Sequence, residues 1–229
     1  AKGKKPKAII PVHLYGMPAK MDEIIAIANR YEIPVLEDSA EALGSAYKGQ
    51  KCGTFGSLAA LSFNGNKIIT TSGGGALVTK SEVVKEKAIF FATQARDAAP
   101  HYQHSEIGYN YRLSNIAAGI GRGQMEVLEQ HVDLRRKWNQ RYQAFFATIP
   151  SVTVLKEPSN DLYSNQWLTA IVLASFKQRE ALRLEFESQN IETRPLWKPM
   201  HLQPVFASYP YYGTTFAASL FENGLCLPS

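Results

Sequence analysis

Lys67 stands in a loop of small and hydroxylated residues, Ser62-Phe63-Asn64-Gly65-Asn66-Lys67-Ile68-Ile69-Thr70-Thr71-Ser72, which runs straight into Gly73-Gly74-Gly75. A desolvated lysine amine can shed its proton and attack a carbonyl carbon, giving a Schiff base. Three consecutive glycines let the backbone take positive φ and let other groups approach, which points to a tight site beside the amine. A surface hairpin carrying a solvated lysine is the competing reading of these residues alone. Asp38 is the second candidate: it follows Val35-Leu36-Glu37, and Glu41 comes three residues after it.

Several elements must position these groups. Lys7 to Val12 reads as a strand, Ala19 to Tyr31 as a helix with Met21, Ile24, Ile25 and Ala28 on one face, and Pro34 to Glu37 as a second strand. Strand, helix and strand with short connections imply a right-handed crossover and a parallel sheet. In such sheets ligands gather at the carboxyl ends of the strands, where Asp38 falls. Ser57 to Phe63 and Ala76 to Thr79 read as the strands on either side of the lysine loop. Ser81 can cap a helix reaching Ala92. Thr93 to Leu113 lacks periodicity and has the length of a functional loop. Ser114 then caps a helical region reaching Ile149, in which Gly119, Gly121 and Gly123 predict close packing or a kink. Beyond Pro150, strands at Val152–Leu155, Gln166–Leu173 and Ile191–Arg194 and a helix at Lys177–Gln189 make a small α/β unit. The boundaries expected are therefore 1–125 for a large domain and 126–229 for the linking helix with a small domain.

A length of 229 residues, with 45% hydrophobic and 20% charged residues, is enough to bury a substantial core in a soluble globular chain. The net charge of +5 is mild, and outside the basic run Lys2 to Lys7 it is dispersed, which argues against nucleic-acid binding. Two cysteines, Cys52 and Cys226, make no disulfide framework, and no spacing fits a metal site. No signal peptide or membrane-spanning run is visible, so a reducing cytoplasm is the expected compartment.

Five blocks in order turn the reading toward an enzyme. Glu37-Asp38-Ser39-Ala40-Glu41-Ala42-Leu43-Gly44, Gly53-Thr54-Phe55-Gly56, the lysine loop, Gly108-Tyr109-Asn110-Tyr111-Arg112-Leu113-Ser114-Asn115 and Arg194-Pro195-Leu196-Trp197-Lys198-Pro199-Met200-His201 together resemble the DegT/DnrJ/EryC1/StrS family of pyridoxal phosphate sugar aminotransferases. The resemblance spans about Ile9 to Pro228. It implies the fold type I architecture of aspartate aminotransferase, with a large, mostly parallel sheet domain and a small α/β domain. Family members begin well before the segment matching Ile9, so the chain resembles their middle and C-terminal portion.

The resemblance also implies roles. Lys67 would carry pyridoxal 5'-phosphate as a Schiff base and act as general acid and base. Asp38 would keep the pyridine nitrogen protonated, Glu41 would lie near the ring, and Ser62 would hydrogen-bond the phosphate. Asn110 would reach the partner's phosphate across a homodimer with shared active sites. Arg112, Trp197 and His201 would bind substrate, and His13, in Val-His-Leu-Tyr-Gly, would support the pocket. The activity implied is transfer of an amino group from an amino acid, glutamate by resemblance, to a nucleotide-linked keto sugar. The block from Arg194 to His201 is most similar to members that aminate C4 of a UDP-4-keto-6-deoxy-N-acetylhexosamine for polysaccharide or glycan synthesis. A C3 aminotransferase acting on a dTDP-keto sugar, and a non-catalytic regulatory or assembly member, are the alternatives.

Overall fold

The computed structural model describes residues 3–229, so Lys2, the first residue of the basic run, lies outside them. The chain divides into two compact units. One runs through Val132 and takes in Ser159–Asn165; the other comprises Asp133–Pro158 and Gln166–Ser229. In chain order the elements are helix α1 (Met21–Arg30), strands β1 (Leu36–Asp38), β2 (Ala46–Tyr47), β3 (Gln50–Lys51), β4 (Leu58–Ser62) and β5 (Gly75–Thr79), and helices α2 (Glu82–Ala92), α3 (Asn115–Glu126) and α4 (Leu128–Phe146). Strands β6 (Thr153–Val154), β7 (Leu162–Tyr163) and β8 (Thr169–Val172), helix α5 (Phe176–Ser188), strand β9 (Arg194–Pro195), helix α6 (Phe216–Asn223) and strand β10 (Gly224–Leu227) follow.

In the first unit, Met21 and Ala28 of α1 bury against Val35 and Tyr47, with Ile9, Ile24 and Ile25 packed around them. This is the apolar face that the period of the sequence predicts. Strand β1 pairs in parallel with β4, Asp38 opposite Ala60. Strand β5 returns antiparallel to β4, with Ser62 opposite Gly75. The expected strand at Lys7 to Val12 is present only as parallel bridges from Ile9 to Val35 and from Val12 to Asp38. Pro11 explains the gap. The rungs Ile9 N to Pro34 O (2.9 Å) and His13 N to Asp38 O (3.1 Å) form, but the rung between them has no N–H to donate.

The helical region after Ser114 breaks at Val127, not at its glycines. Gly119 and Gly123 face open space, and only at Gly121 would a Cβ come within 3.0 Å of a neighbour, the Thr71 methyl. The division between the units falls inside α4, between Val132 and Asp133. Leu128 and Val132, in the first turns of α4, bury against Ile68 and Ile69, which binds that end of the helix to the first unit. The segment Ser159–Asn165 returns to the first unit by pairing β7 with β2. It ends in a buried asparagine whose side-chain amide donates to the Glu41 and Leu43 carbonyls, both at 2.9 Å. The Asn165 backbone N–H donates to Ser45 Oγ (2.9 Å), which itself donates to the Gly16 carbonyl (2.7 Å). Gly16 must be glycine here: φ is +82° and a Cβ would lie 1.8 Å from Asn165 Oδ1.

The second unit is a four-stranded antiparallel sheet in the order β6-β8-β10-β9. Its core joins Ile171, Leu225 and Leu227 to Tyr142, Phe146, Leu182 and Phe186. Ser175 caps α5 by accepting the Gln178 N–H.

Removing the Asn165 side chain strands two carbonyls in the interior. Asn165→Ala is expected to lose about 2–4 kcal/mol of unfolding free energy in urea. A loss below about 0.5 kcal/mol would show that the returning segment is not fastened by this side chain.

Candidate active site

The lysine loop is closed at its base and pinned along one flank. Phe63 N donates to Gly74 O and Thr71 N to Phe63 O, each at 3.0 Å, while Lys67 N donates to Asn64 O at 3.0 Å in a tight turn. Ile68 and Ile69, immediately after the lysine, are buried in the cluster with Leu128 and Val132. His131 donates from Nδ1 to the Ile68 carbonyl (3.0 Å), and Gln124 Oε1 accepts the Thr70 N–H (3.3 Å). Two apolar residues thus anchor the backbone while the preceding lysine projects from it.

The Lys67 ammonium lies 3.7 Å from Glu41 Oε1, the two side chains being 13% and 12% exposed. The other Glu41 oxygen accepts the Tyr15 N–H at 2.7 Å. Tyr15 is buried and holds φ +57°, a conformation uncommon for a bulky residue. Two of the three glycines are required by the backbone itself. Gly74 takes φ +88°, a Cβ at Gly75 would meet the Leu61 carbonyl at 2.3 Å, and Gly73 faces open space.

Asp38 and Ser62 end the parallel neighbours β1 and β4, so both stand at the same carboxyl edge from which the lysine loop departs. Asp38 is half-buried, and its Oδ1 accepts the Ala40 N–H at 3.1 Å, leaving its second oxygen for an incoming N–H. Ser62 Oγ accepts the Asn64 N–H at 3.3 Å, so its own hydrogen can go to an acceptor from outside. An amine, a strand-end carboxylate and a hydroxyl donor are the groups that a Schiff-base pyridine cofactor with a phosphate arm needs. The residues fit pyridoxal phosphate.

Asn110 and Arg112 are exposed on the long loop, where Asn110 makes an antiparallel bridge to Thr93. The loop is internally tied, with His104 Nδ1 donating to Gln94 O at 2.8 Å and Ser105 Oγ to Asp97 Oδ2 at 2.7 Å. Asn110, Gln94, His104 and Glu106 line a concavity of about 530 Å³. Trp197 and His201 belong to the second unit. Trp197 is half-buried with its ring centroid 6.3 Å from that of Trp167, and His201 stacks on Tyr211 with centroids 3.7 Å apart. Among the described residues no group of three acidic, histidine or cysteine side chains could hold a metal, and no helix is long and apolar enough to cross a membrane. Burial, with a smaller contribution from the nearby Glu37 charge, pushes the Cys52 thiol up to about 12, which leaves it inert as a nucleophile.

Sequence reasoning missed the group beneath Asp38. Glu37 is wholly buried, and its carboxylate accepts from His13 Nε2 (3.0 Å) and from the backbone N–H groups of Gly53, Phe55 and Gly56 (2.7 Å each). The available signal was a carboxylate inside the apolar run Val35-Leu36, on the face opposite Asp38. Burial alone would raise its pKa. The hydrogen bonds from His13, Gly56, Gly53 and Phe55 outweigh it and hold the carboxyl below its ordinary value of 4.5.

A carboxyl depressed by folding stabilises the fold fully above its unfolded-state pKa, and that contribution is lost as pH falls through the lower folded value. Unfolding free energy should therefore fall with acid below about pH 4.5 with a proton uptake that includes Glu37. The acid slope should flatten in Glu37→Gln, measured by urea unfolding across this range. An unchanged slope in a folded Glu37→Gln protein would contradict this assignment.

The family model for the DegT/DnrJ/EryC1/StrS aminotransferases matches residues 3–229. EpsN of Bacillus subtilis (strain 168), whose name assigns it provisionally to the pyridoxal phosphate-dependent aminotransferases, is 49% identical over 99% of this chain and 59% of its own length. GDP-perosamine synthase of Escherichia coli O157:H7 is 38% identical over 98% of this chain and 61% of its own. The crystal structure of a DegT DnrJ EryC1 StrS aminotransferase from Brucella abortus superposes with a TM-score of 0.87 at 28% identity, over 98% of this chain and 59% of that one. The chain thus spans about three fifths of the length of the relatives it matches, and its fold is the corresponding part of a type I pyridoxal phosphate enzyme. With the whole described chain matched and the lysine loop built as above, this protein belongs to the DegT/DnrJ/EryC1/StrS aminotransferase family.

Proposed function

We propose that the protein is a pyridoxal phosphate-dependent aminotransferase that moves an amino group from an amino acid, glutamate by resemblance, to a nucleotide-linked keto sugar. The observation that carries this reading is the Lys67–Glu41 pair, 3.7 Å apart and largely shielded, on a pinned loop beyond the edge where Asp38 and Ser62 end their strands. When bound, the cofactor supplies an electron sink for the carbon that loses its proton. Lys67 Nζ would take that proton and give it back, since the amine stays tethered to the loop beside the bound group. The Asp38 carboxylate would hold a proton on the ring nitrogen, and the Ser62 hydroxyl would donate to the phosphate. Glu41 keeps the free Lys67 amine paired and aimed.

The finer reading is a C4 aminotransferase acting on a UDP-4-keto-6-deoxy-N-acetylhexosamine for surface polysaccharide or glycan synthesis. Arg112 and Lys198, both exposed cations, suit a diphosphate, and the flat face of Trp197 suits a sugar ring or its methyl group. His201 can hydrogen-bond a hydroxyl or acetamido group, where an unmet partner rejects the wrong sugar. The working unit is a cytoplasmic homodimer with shared sites. Exposure of Ile107, Tyr111, Ile116 and Ile120 around Asn110 and Arg112 supports an interface there.

Two experiments test these statements. Protein loaded with pyridoxamine phosphate, offered a UDP-4-keto sugar and a dTDP-3-keto sugar in turn, should recover its visible absorbance with the first. Preference for the 3-keto sugar would move the reaction to C3, and no response to either would favour a non-catalytic regulatory or assembly role. Mixing a Lys67→Ala protein with an Asn110→Ala/Arg112→Ala protein should restore part of the activity, because one hybrid site draws intact residues from both chains. Inactive hybrids, with subunit exchange demonstrated, would show that each chain builds its own site.

A further inference from the structure

We propose that the buried Glu37–His13 pair is a positioning device that fixes Asp38 and the Lys67–Glu41 pair relative to each other; this rests on the reading of Lys67 and Asp38 as cofactor partners. Both side chains are 0% exposed. His13 Nδ1 accepts the Ala19 N–H at 3.0 Å, so the ring proton sits on Nε2 and is donated to Glu37 Oε2. The carboxylate thereby ties three segments together: the turn before α1, the end of β1, and the Gly53–Gly56 turn that leads into β4.

Each segment leads to the site. Asp38 is the next residue along β1, on the opposite face, and its backbone is locked to the same turn by His13 N donating to Asp38 O at 3.1 Å. Two residues past His13, the Tyr15 N–H grips Glu41 Oε2 at 2.7 Å, and the other Glu41 oxygen lies 3.7 Å from Lys67 Nζ. One buried contact therefore reaches the strand-end carboxylate by a single peptide step and the lysine through a turn and a carboxylate. Neither Glu37 nor His13 is exposed, so both act through Asp38, Tyr15 and Glu41 and are positioning residues. A catalytic geometry must hold within fractions of an ångström, which requires side chains whose own supports are locked.

The test reads the Lys67 amine directly and needs no cofactor. Reductive methylation with formaldehyde and cyanoborohydride, followed by peptide mapping, gives the labelling rate of Lys67 relative to exposed Lys80 in the folded protein. Glu37→Gln, which sets an amide NH2 against two of the four donors, should raise that ratio roughly fivefold by loosening the Tyr15–Glu41 grip. Two His13 variants separate positioning from general damage. His13→Gln can keep a donor toward Glu37 and should leave the ratio near that of the unsubstituted protein. His13→Asn keeps the acceptor for Ala19 but withdraws that donor, and should raise the ratio as Glu37→Gln does. An unchanged ratio in folded Glu37→Gln, or indistinguishable His13 variants, would overturn the proposal. If Glu37→Gln does not fold, the His13 pair alone decides, since Glu37 keeps its three backbone donors in both. Failure of the aminotransferase reading would show separately, as absence of a cofactor imine on Lys67 in the unsubstituted protein.

Discussion

A carboxylate withdrawn completely from water costs several kcal/mol, and the first unit is arranged around meeting that cost at Glu37. Four donors converge on it, one imidazole N–H and three backbone N–H groups. Charge-assisted hydrogen bonds contribute about 1.5–3 kcal/mol each, so together they exceed the desolvation term, in line with a pKa held below its ordinary value. The three backbone donors come from a turn that can present its N–H groups only in one conformation. Gly53 takes φ +87° there, and a Cβ on Gly56 would stand 2.6 Å from the Val35 carbonyl. The carboxylate thus selects the path by which the chain enters β4, and β4 carries Ser62 and the lysine loop.

The site then follows from alternation along one short strand. Glu37 points into the interior and Asp38 to the other face, so one residue of register separates the structural carboxylate from the one proposed to meet the cofactor. The lysine is handled differently. Its neighbours Ile68 and Ile69 are buried in the cluster with Leu128 and Val132 of α4, and that burial anchors the backbone from which the amine projects. Glu41 completes the arrangement from the segment just after Asp38, and Asn165 holds that segment in turn by taking two of its carbonyls.

Much of this was legible in the sequence because the signals were local. The Ser81, Ser114 and Ser175 caps, the face of α1 and the strands around the lysine loop all follow from neighbouring residue types. What escaped was set by long-range pairing. Strand β10 is only four residues long and lies at the middle of the second sheet, so its role depends on β8 and β9, which are far from it in sequence. The short pairing of β7 with β2 and the reach of Asn165 to Glu41 and Leu43 likewise have no local signature. The triple glycine points to positive φ and a tight site beside the amine; Gly74 takes the positive φ, and the close approach at Gly75 is that of the Leu61 carbonyl. The order of the family blocks singles out Lys67, Asp38, Glu41 and Ser62, and the structure sets Lys67 beside Glu41 and ends the strands of Asp38 and Ser62 at one sheet edge. His13 stood out only as a support of the pocket, and its pairing with Glu37 did not, because a buried carboxylate is recognised only when its donors are seen.

The central claim is that this loop presents one particular amine to the cofactor. It is tested most directly by adding pyridoxal phosphate to the purified protein, reducing with borohydride, and mapping the pyridoxyl group by peptide mass. The account predicts a yellow protein that bleaches on reduction and carries the group on Lys67, with the other lysines unlabelled at stoichiometric cofactor. A label fixed on a different lysine, or cofactor demonstrably bound with no reducible imine, would contradict it.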